Sequence, residues 1–262
     1  MILPDIAATP AERGEEAQRL IDQAQGADFV ELTALSALEL CVMGGPTFAL
    51  FEEDVARAWL GLPDRRRGRI LNTITEGMME RRLLLAPDPL GPDGESYSMN
   101  PVLGLILAAR YRPTWIAVTE TADAARRRTP RLFALGDQEA PVRAVVVEEP
   151  AALPAGMSVP NARKLGPLSQ LYRYVLVSEA RSAEVMAEWA IAPPPEVPGT
   201  DAPAARAVIV YRPAAGDEVG NRLAVRGDGS TALLLPPEDP GHSYDKAGLT
   251  EVMRRLITRA AP

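Results

Sequence analysis

The chain is predicted to be an α+β protein: an N-terminal helical segment, followed by a strand–strand–strand–helix unit used twice. The two units would form a mostly antiparallel sheet with quasi-two-fold halves. Three observations predict this. The pattern R-L-x-x-x-G-D occurs twice, 91 residues apart, as Arg131-Leu132…Gly136-Asp137 and Arg222-Leu223…Gly227-Asp228. Each copy lies between apolar, β-branched runs (115–118 and 142–147, then 208–211 and 232–235), with an amphipathic helix candidate further on. Before residue 112 the apolar spacing is helical, whereas after 113 it alternates, as half-buried strands require.

In order, residues 1–28 read as a loosely ordered lead-in with one short helix at about 10–25. Residues 29–112 read as a helical module. From Phe29, the side chains Leu32, Leu35, Leu38 and Val42 share one helical stripe, closed by the breaker Gly44-Gly45-Pro46. A second helix, about 51–60, opens with Glu52, Glu53 and Asp54, charges suited to the positive end of a helix dipole. Gly61-Leu62-Pro63 turns the chain, and Asp64 can cap a third helix running to about 83, with Ile70, Leu71, Ile74 and Met78 as its apolar stripe. Residues 84–99 hold Pro87, Pro89, Pro92 and Asp93-Gly94 between short apolar ends, the signature of a hairpin or wing. A fourth helix follows at about 101–111, with Pro101 in a favourable first position.

The first half of the sheet, 113–192, is read as strands near 114–120, 131–136 and 142–148 and a long helix over 167–191. The face of that helix would be Leu168, Leu171, Tyr172, Val175 and Leu176. Pro193-Pro194-Pro195 ends it, and 193–204 is a linker by composition. The second half, 205–262, is read as strands near 206–212, 222–226 and 231–235, with Asp228-Gly229 as a tight turn. A last helix, about 245–259, buries Leu249, Val252, Met253, Leu256 and Ile257. Six short strands with hairpin-length joins favour antiparallel pairing, with the two helices on one face.

Composition limits the function classes. A chain of 262 residues can bury a substantial core. A net charge of −7 argues against wholesale polyanion binding while leaving room for a local basic patch. Only Lys164 and Lys246 are lysines, which together with abundant Ala, Pro and Arg suggests a high-GC bacterial genome. One cysteine, Cys41, set among Leu38, Leu40, Val42 and Met43, excludes an internal disulfide and reads as a buried, inert thiol. No apolar run reaches the ~18–20 residues of a membrane span. Nor does the N-terminus have the basic and apolar regions of a secretory signal, so a cytoplasmic protein is expected.

Catalytic chemistry finds little support. The single histidine, His242, sits in a loop before a helix and reads as a surface residue. With one His and one Cys there is no zinc spacing, and Asp88, Asp93 and Glu95 lack the calcium-loop pattern, so no metal is expected. No phosphate-cradling glycine motif occurs and no cofactor is expected. The adjacent pairs Glu148-Glu149 and Glu238-Asp239 would point to opposite faces of a strand and are read as solvated loop charges. Arg226-Gly227-Asp228 is read as a hairpin turn and not as an adhesion tripeptide.

Arginine clusters are the stronger candidates for contact. Residues 57–82 hold seven arginines against three acids, and Arg65, Arg66, Arg67 and Arg69 open the third helix. Arg126-Arg127-Arg128 form a second cluster at the first hairpin turn. Helix, turn, arginine-rich helix and extended hairpin follow one another as in a winged helix, and 56–62 with 79–84 resembles that family's texture. That resemblance implies basic residues meeting DNA phosphates.

The layout as a whole resembles the EspG-like chaperones of actinobacterial type VII (ESX) secretion. Three stretches carry the likeness: "ERRLLL" (80–85), "NPVLGLILAARYRP" (100–113) and "RLAVRGDGSTALLLPPED" (222–239). The resemblance implies quasi-two-fold halves about a central antiparallel sheet, no reaction, and a secreted helical-hairpin partner. The expected function is therefore a non-enzymatic chaperone, adaptor or assembly component that binds another protein. Its contacts would lie on an exposed sheet face or on the Pro-rich loops at 87–98 and 150–162, with a second copy of the chain a further candidate partner. The alternative is a winged-helix DNA-binding regulator with a C-terminal sensor or dimerisation domain.

Overall fold

The computed structural model describes residues 10–44, 52–85, 98–121, 129–136, 142–151, 165–193, 206–211, 221–235 and 242–260. The N-terminal elements are α1 (Pro10–Gly26), β1 (Val30–Ser36), α2 (Ala37–Met43), α3 (Glu53–Leu60), α4 (Asp64–Glu80), β2 (Leu84–Leu85), β3 (Ser98–Met99) and α5 (Pro101–Tyr111). There follow β4 (Ile116–Thr121), β5 (Arg131–Leu135), β6 (Ala144–Ala151), a 3-10 turn (Gly166–Ser169), β7 (Leu171–Val177) and α6 (Glu179–Ile191). The chain closes with β8 (Arg206–Tyr211), β9 (Asn221–Gly227), β10 (Ala232–Leu234), β11 (Ser243–Tyr244) and α7 (Lys246–Ala260).

Nine strands form one sheet in the order β1-β7-β6-β5-β4-β8-β9-β10-β11, every pair antiparallel; β2 and β3 pair separately. The fold is α+β. Each face of the sheet has its own core. On one side α6 and α7 pack on each other, and Met186, Ala190, Leu249 and Met253 meet Trp115, Val147, Val208 and Val225. On the other, α1, α2 and α5 lie over β1, β7, β6 and β5, with Ile21, Leu40, Ile106, Phe133, Tyr174 and Leu176 fully or almost fully buried. The central strands are therefore largely apolar on both sides, and β6 begins with four consecutive buried apolar residues, Ala144 to Val147. Burying each such side chain is worth about 1.5–3 kcal/mol before chain entropy is counted.

Several sequence expectations are corrected. The stretch from Phe29 is not one helix: β1 occupies 30–36, and α2 starts only after Ser36, which caps it in a reciprocal capping box with Glu39. The misleading spacing has a cause. A bulge at Leu32 shifts the register between Glu31 and Thr33, so the inward-facing residues become Val30, Leu32 and Leu35, and the last interval mimics a helix. The helix expected over 167–191 is in fact a 3-10 turn, strand β7 and helix α6, which starts after the cap Ser178. β7 is buried on both faces, so Leu171, Tyr172, Val175 and Leu176 show no alternation and fit either period. The lead-in is also more structured than expected: α1 docks on α5 and places Ile21 and Ala24 in the core. Asp64 is the first residue of α4 and does not cap it. Pro63 precedes the helix, and Asp64 instead pairs with Arg67.

About the β4–β8 pair the sheet is uneven, with β5, β6, β7 and β1 on one side and β9, β10 and β11 on the other. The two R-L-x-x-x-G-D copies also do different work. Arg131 is buried in an ion pair, whereas Arg222 is exposed and 4.0 Å from Glu120. Asp228 closes the β9–β10 turn, accepting hydrogen bonds from the backbone N–H groups of Thr231 at 2.7 Å and Ser230 at 2.8 Å. These backbone bonds, joined by both hydroxyls, hold its carboxyl well below the usual carboxylate range. Gly229 has φ of 98°, as that tight turn demands. Matched strand positions thus do not carry matched side-chain roles, and the duplication read from the recurrence is not confirmed.

Candidate functional site

The segment α3–turn–α4–β2–β3 forms an arm on the face covered by α1, α2 and α5. α4 has 17 residues, about 25 Å of helix, yet only Met78 on it is fully buried. Ile70, Ile74 and Met79 are partly buried against the core, so the helix docks along one edge and presents the rest of its circumference. Arg65, Arg66 and Arg69 are exposed at its first two turns; Arg67 is half-buried and paired with Asp64. The helix–turn–helix–hairpin order expected of a winged helix is present, with Leu84 opposite Met99 and Leu85 opposite Ser98. Arg126, Arg127 and Arg128 lie outside the described residues, as do the loops expected to make contacts, apart from their end residues Ser98, Pro150 and Ala151.

Beside α4 runs a groove of about 440 Å³. Its floor is Leu71, Thr75 and Met79, one helical row. The last turn of α2, Val42 and Met43, makes one wall, and Leu84 with Met99 makes the other. Leu71 and Met99 are 44% and 39% exposed, unusual for large apolar side chains. The rim is polar: Asn72 and Glu76 sit four residues apart, and Glu80 continues that row. Among the described residues, neither Glu76 nor Glu80 has an ion-pair or hydrogen-bond partner. Sequence reading placed Leu71 on the buried stripe and so missed this groove. The signal available was an apolar face on α4 wider than one docked edge can bury.

A buried row of charges holds the arm to the sheet. Register sets Arg131 on β5 opposite Glu148 on β6, and Glu148 opposite Tyr174 on β7. Glu148 accepts hydrogen bonds from Arg110 of α5 and, at 2.6 Å, from the Tyr174 hydroxyl; its other oxygen lies 3.2 Å from Arg131. Arg131 continues to Glu52, the residue preceding α3, which also accepts the Tyr172 hydroxyl at 2.7 Å. This overturns the reading of Glu148 as a solvated charge: it is 0% exposed. Glu149, on the opposite face, is part-exposed and pairs with Arg173 at 3.3 Å. Opposite faces were anticipated; that one of them carried a buried arginine was not. The row alternates in sign and is mostly buried, so each of its carboxylates faces a guanidinium.

Burial alone would raise the Glu52 carboxyl, but Arg131 beside it and the Tyr172 hydroxyl outweigh that, and the net direction is downward from 4.5. A depressed folded value stabilises above the unfolded value and is lost as pH falls through the folded one. Glu52→Gln should therefore lower stability by about 1–3 kcal/mol at pH 7 and less at pH 3. Hydrogen exchange in residues 53–60 should rise in step. Equal exchange in variant and wild type at pH 7 would show that Glu52 does not secure α3.

His242 is exposed, its ring 4.5 Å from that of Tyr244. The Cys41 thiol is buried, and that burial, more than the nearby Glu52, pushes it up to about 12, as an inert thiol requires. Among the described residues no cluster of His, Cys, Asp and Glu is arranged to hold a metal ion, and no helix is long and apolar enough to cross a membrane. Comparison with models of known protein families, with curated proteins and with solved structures finds no match.

Proposed function

We propose that this chain is a non-enzymatic binding protein of a bacterial cytoplasm, a chaperone, adaptor or assembly component that engages another protein. The observation that carries this reading is the groove beside α4, where exposed Leu71 and Met99 frame an apolar channel on a firmly anchored arm. Methionine-lined grooves adapt to varied apolar partners, and Met43, Met79 and Met99 line this one. The resemblance to EspG-like secretion chaperones points the same way, toward a helical-hairpin substrate. The test is affinity capture from the native host with the wild-type chain and Leu71→Glu in parallel, followed by reconstitution with the purified partner. A protein held in stoichiometric amount by the wild type supports the reading. Recovery of nucleic acid alone overturns it.

The second reading, a DNA-binding regulator, is favoured by one observation: Arg65, Arg66 and Arg69 are exposed on a helix followed by a two-stranded wing. Three arginine–phosphate contacts would give log K against log salt a slope of about −3, and neutralising them would flatten it. The binding-protein reading expects the wild type and the Arg65→Ala/Arg66→Ala/Arg69→Ala variant to bind a duplex equally weakly, with no such slope in either. Filter binding across a salt series decides between the two.

A further inference from the structure

We infer that the α4 groove takes an amphipathic helix of a partner protein, one presenting apolar side chains at helical spacing and basic residues beside them. The inference rests on the binding-protein reading and names the partner's chemistry. Length comes first. Leu71 to Met79 is eight residue steps, about 12 Å of axis, which matches two turns of an opposing helix and its i, i+3/i+4, i+7 anchors. Shape comes second. A site for a small molecule buries most of its ligand. Here Leu71 and Met99 stay partly in solvent, so the channel is open along one side and fits an elongated occupant.

Charge selects the sign of the occupant. Among the described residues, the one ionisable side chain lining the groove is Glu76, and Glu80 extends the same edge. Arg81 is turned away, donating to the Ala34 carbonyl at 2.6 Å and pairing with Glu39 at 2.5 Å. The α2 helix ends at Met43, so the negative end of its dipole also points to this wall. Among the described residues, the two unpaired carboxylates on this edge favour lysine or arginine on the occupant, and the exposed arginines Arg65, Arg66 and Arg69 lie before Leu71, toward the start of α4. An acidic helix would meet like charge at Glu76 and Glu80.

The experiment uses the full chain, isotope-labelled, and two 18-residue peptides with the same Leu/Met pattern at i, i+3/i+4 and i+7. One carries lysines at the flanking positions and the other glutamates. The lysine peptide should shift backbone resonances of residues 42–43, 71–79, 84 and 99, and bind at least about tenfold more tightly than its twin. Leu71→Glu should abolish those shifts while moving the thermal midpoint by roughly 2 °C or less, since Leu71 is half-exposed. Glu76→Lys/Glu80→Lys should reverse the preference between the peptides. Equal binding of both peptides, shifts mapping elsewhere, or an undiminished Leu71→Glu complex would overturn the inference. So would a dimer of the chain that Leu71→Glu dissociates, because the groove's occupant would then be a second copy. A captured partner that Leu71→Glu retains would sink the groove alone. Nucleic acid captured in place of any protein would sink the reading beneath it.

Discussion

Glu148→Leu should lose about 3–5 kcal/mol of folding free energy, the cost of breaking a buried ion pair from one side. The reason lies in what remains. Arg110 is wholly buried and Arg131 nearly so, and both lose the carboxylate they face on β6. Tyr174, fully buried, would also lose the acceptor of its 2.6 Å hydrogen bond. Equilibrium unfolding in urea should show a lower midpoint with an unchanged slope. The double variant Arg110→Met/Glu148→Leu should recover most of the loss, because well-packed apolar residues replace a buried pair at little net cost. The mutant cycle then measures the coupling directly. A single variant within about 0.5 kcal/mol of wild type would mean that these charges are not desolvated in the folded chain.

Gly227→Ala comes next, with an expected cost of about 3 kcal/mol from overpacking. Gly227 ends β9 where the last turn of α6 crosses it. A Cβ there would fall within 2.5 Å of the Ile191 carbonyl carbon, and closer still to the carbonyl oxygens of Ala190 and Ile191. All three are backbone atoms, so no side-chain rotation relieves the clash and the helix end must lift. The contact is productive as it stands, since the Gly229 N–H caps α6 by donating to the Ile191 carbonyl at 2.9 Å. Hydrogen exchange should rise in the last turn of α6 and the thermal midpoint should fall. Gly68→Ala provides the contrast: that site on α4 has open space around it, so alanine should stabilise by about 0.5–1 kcal/mol. If Gly227→Ala were as benign as Gly68→Ala, α6 would not pack where it is described.

The sequence was informative wherever a local signal agreed with the tertiary setting. Pro101 announces α5, and the structure adds that Asn100 caps it by accepting from the Leu103 N–H. Asp228-Gly229 announces its turn. β4 and β5 read correctly because their apolar residues have turn residues between them. Legibility failed at β1, where a bulge changed the period, and at β7, where burial on both faces erased it. It failed again at Glu148, because a charged residue in a strand looks solvated until another element brings it a counter-charge. Arg110 belongs to α5, 38 residues earlier in the chain.

The candidate site divides in the same way. The arginines opening α4 were legible, being adjacent in sequence and exposed by default. The groove was not, because its walls come from α2, α4 and the β2–β3 pair, which only folding brings together.

By itself, then, the amino-acid sequence determined the α+β class, the antiparallel pairing and most of the helix positions. These follow from side-chain periodicity, caps and turns, all of which act within about ten residues. Only the tertiary structure decided which charges are buried, which apolar face of α4 stays open, and why Gly227 cannot be another residue. Desolvation, pairing and close approach depend on what lies opposite a residue, and that neighbour is usually remote in the chain.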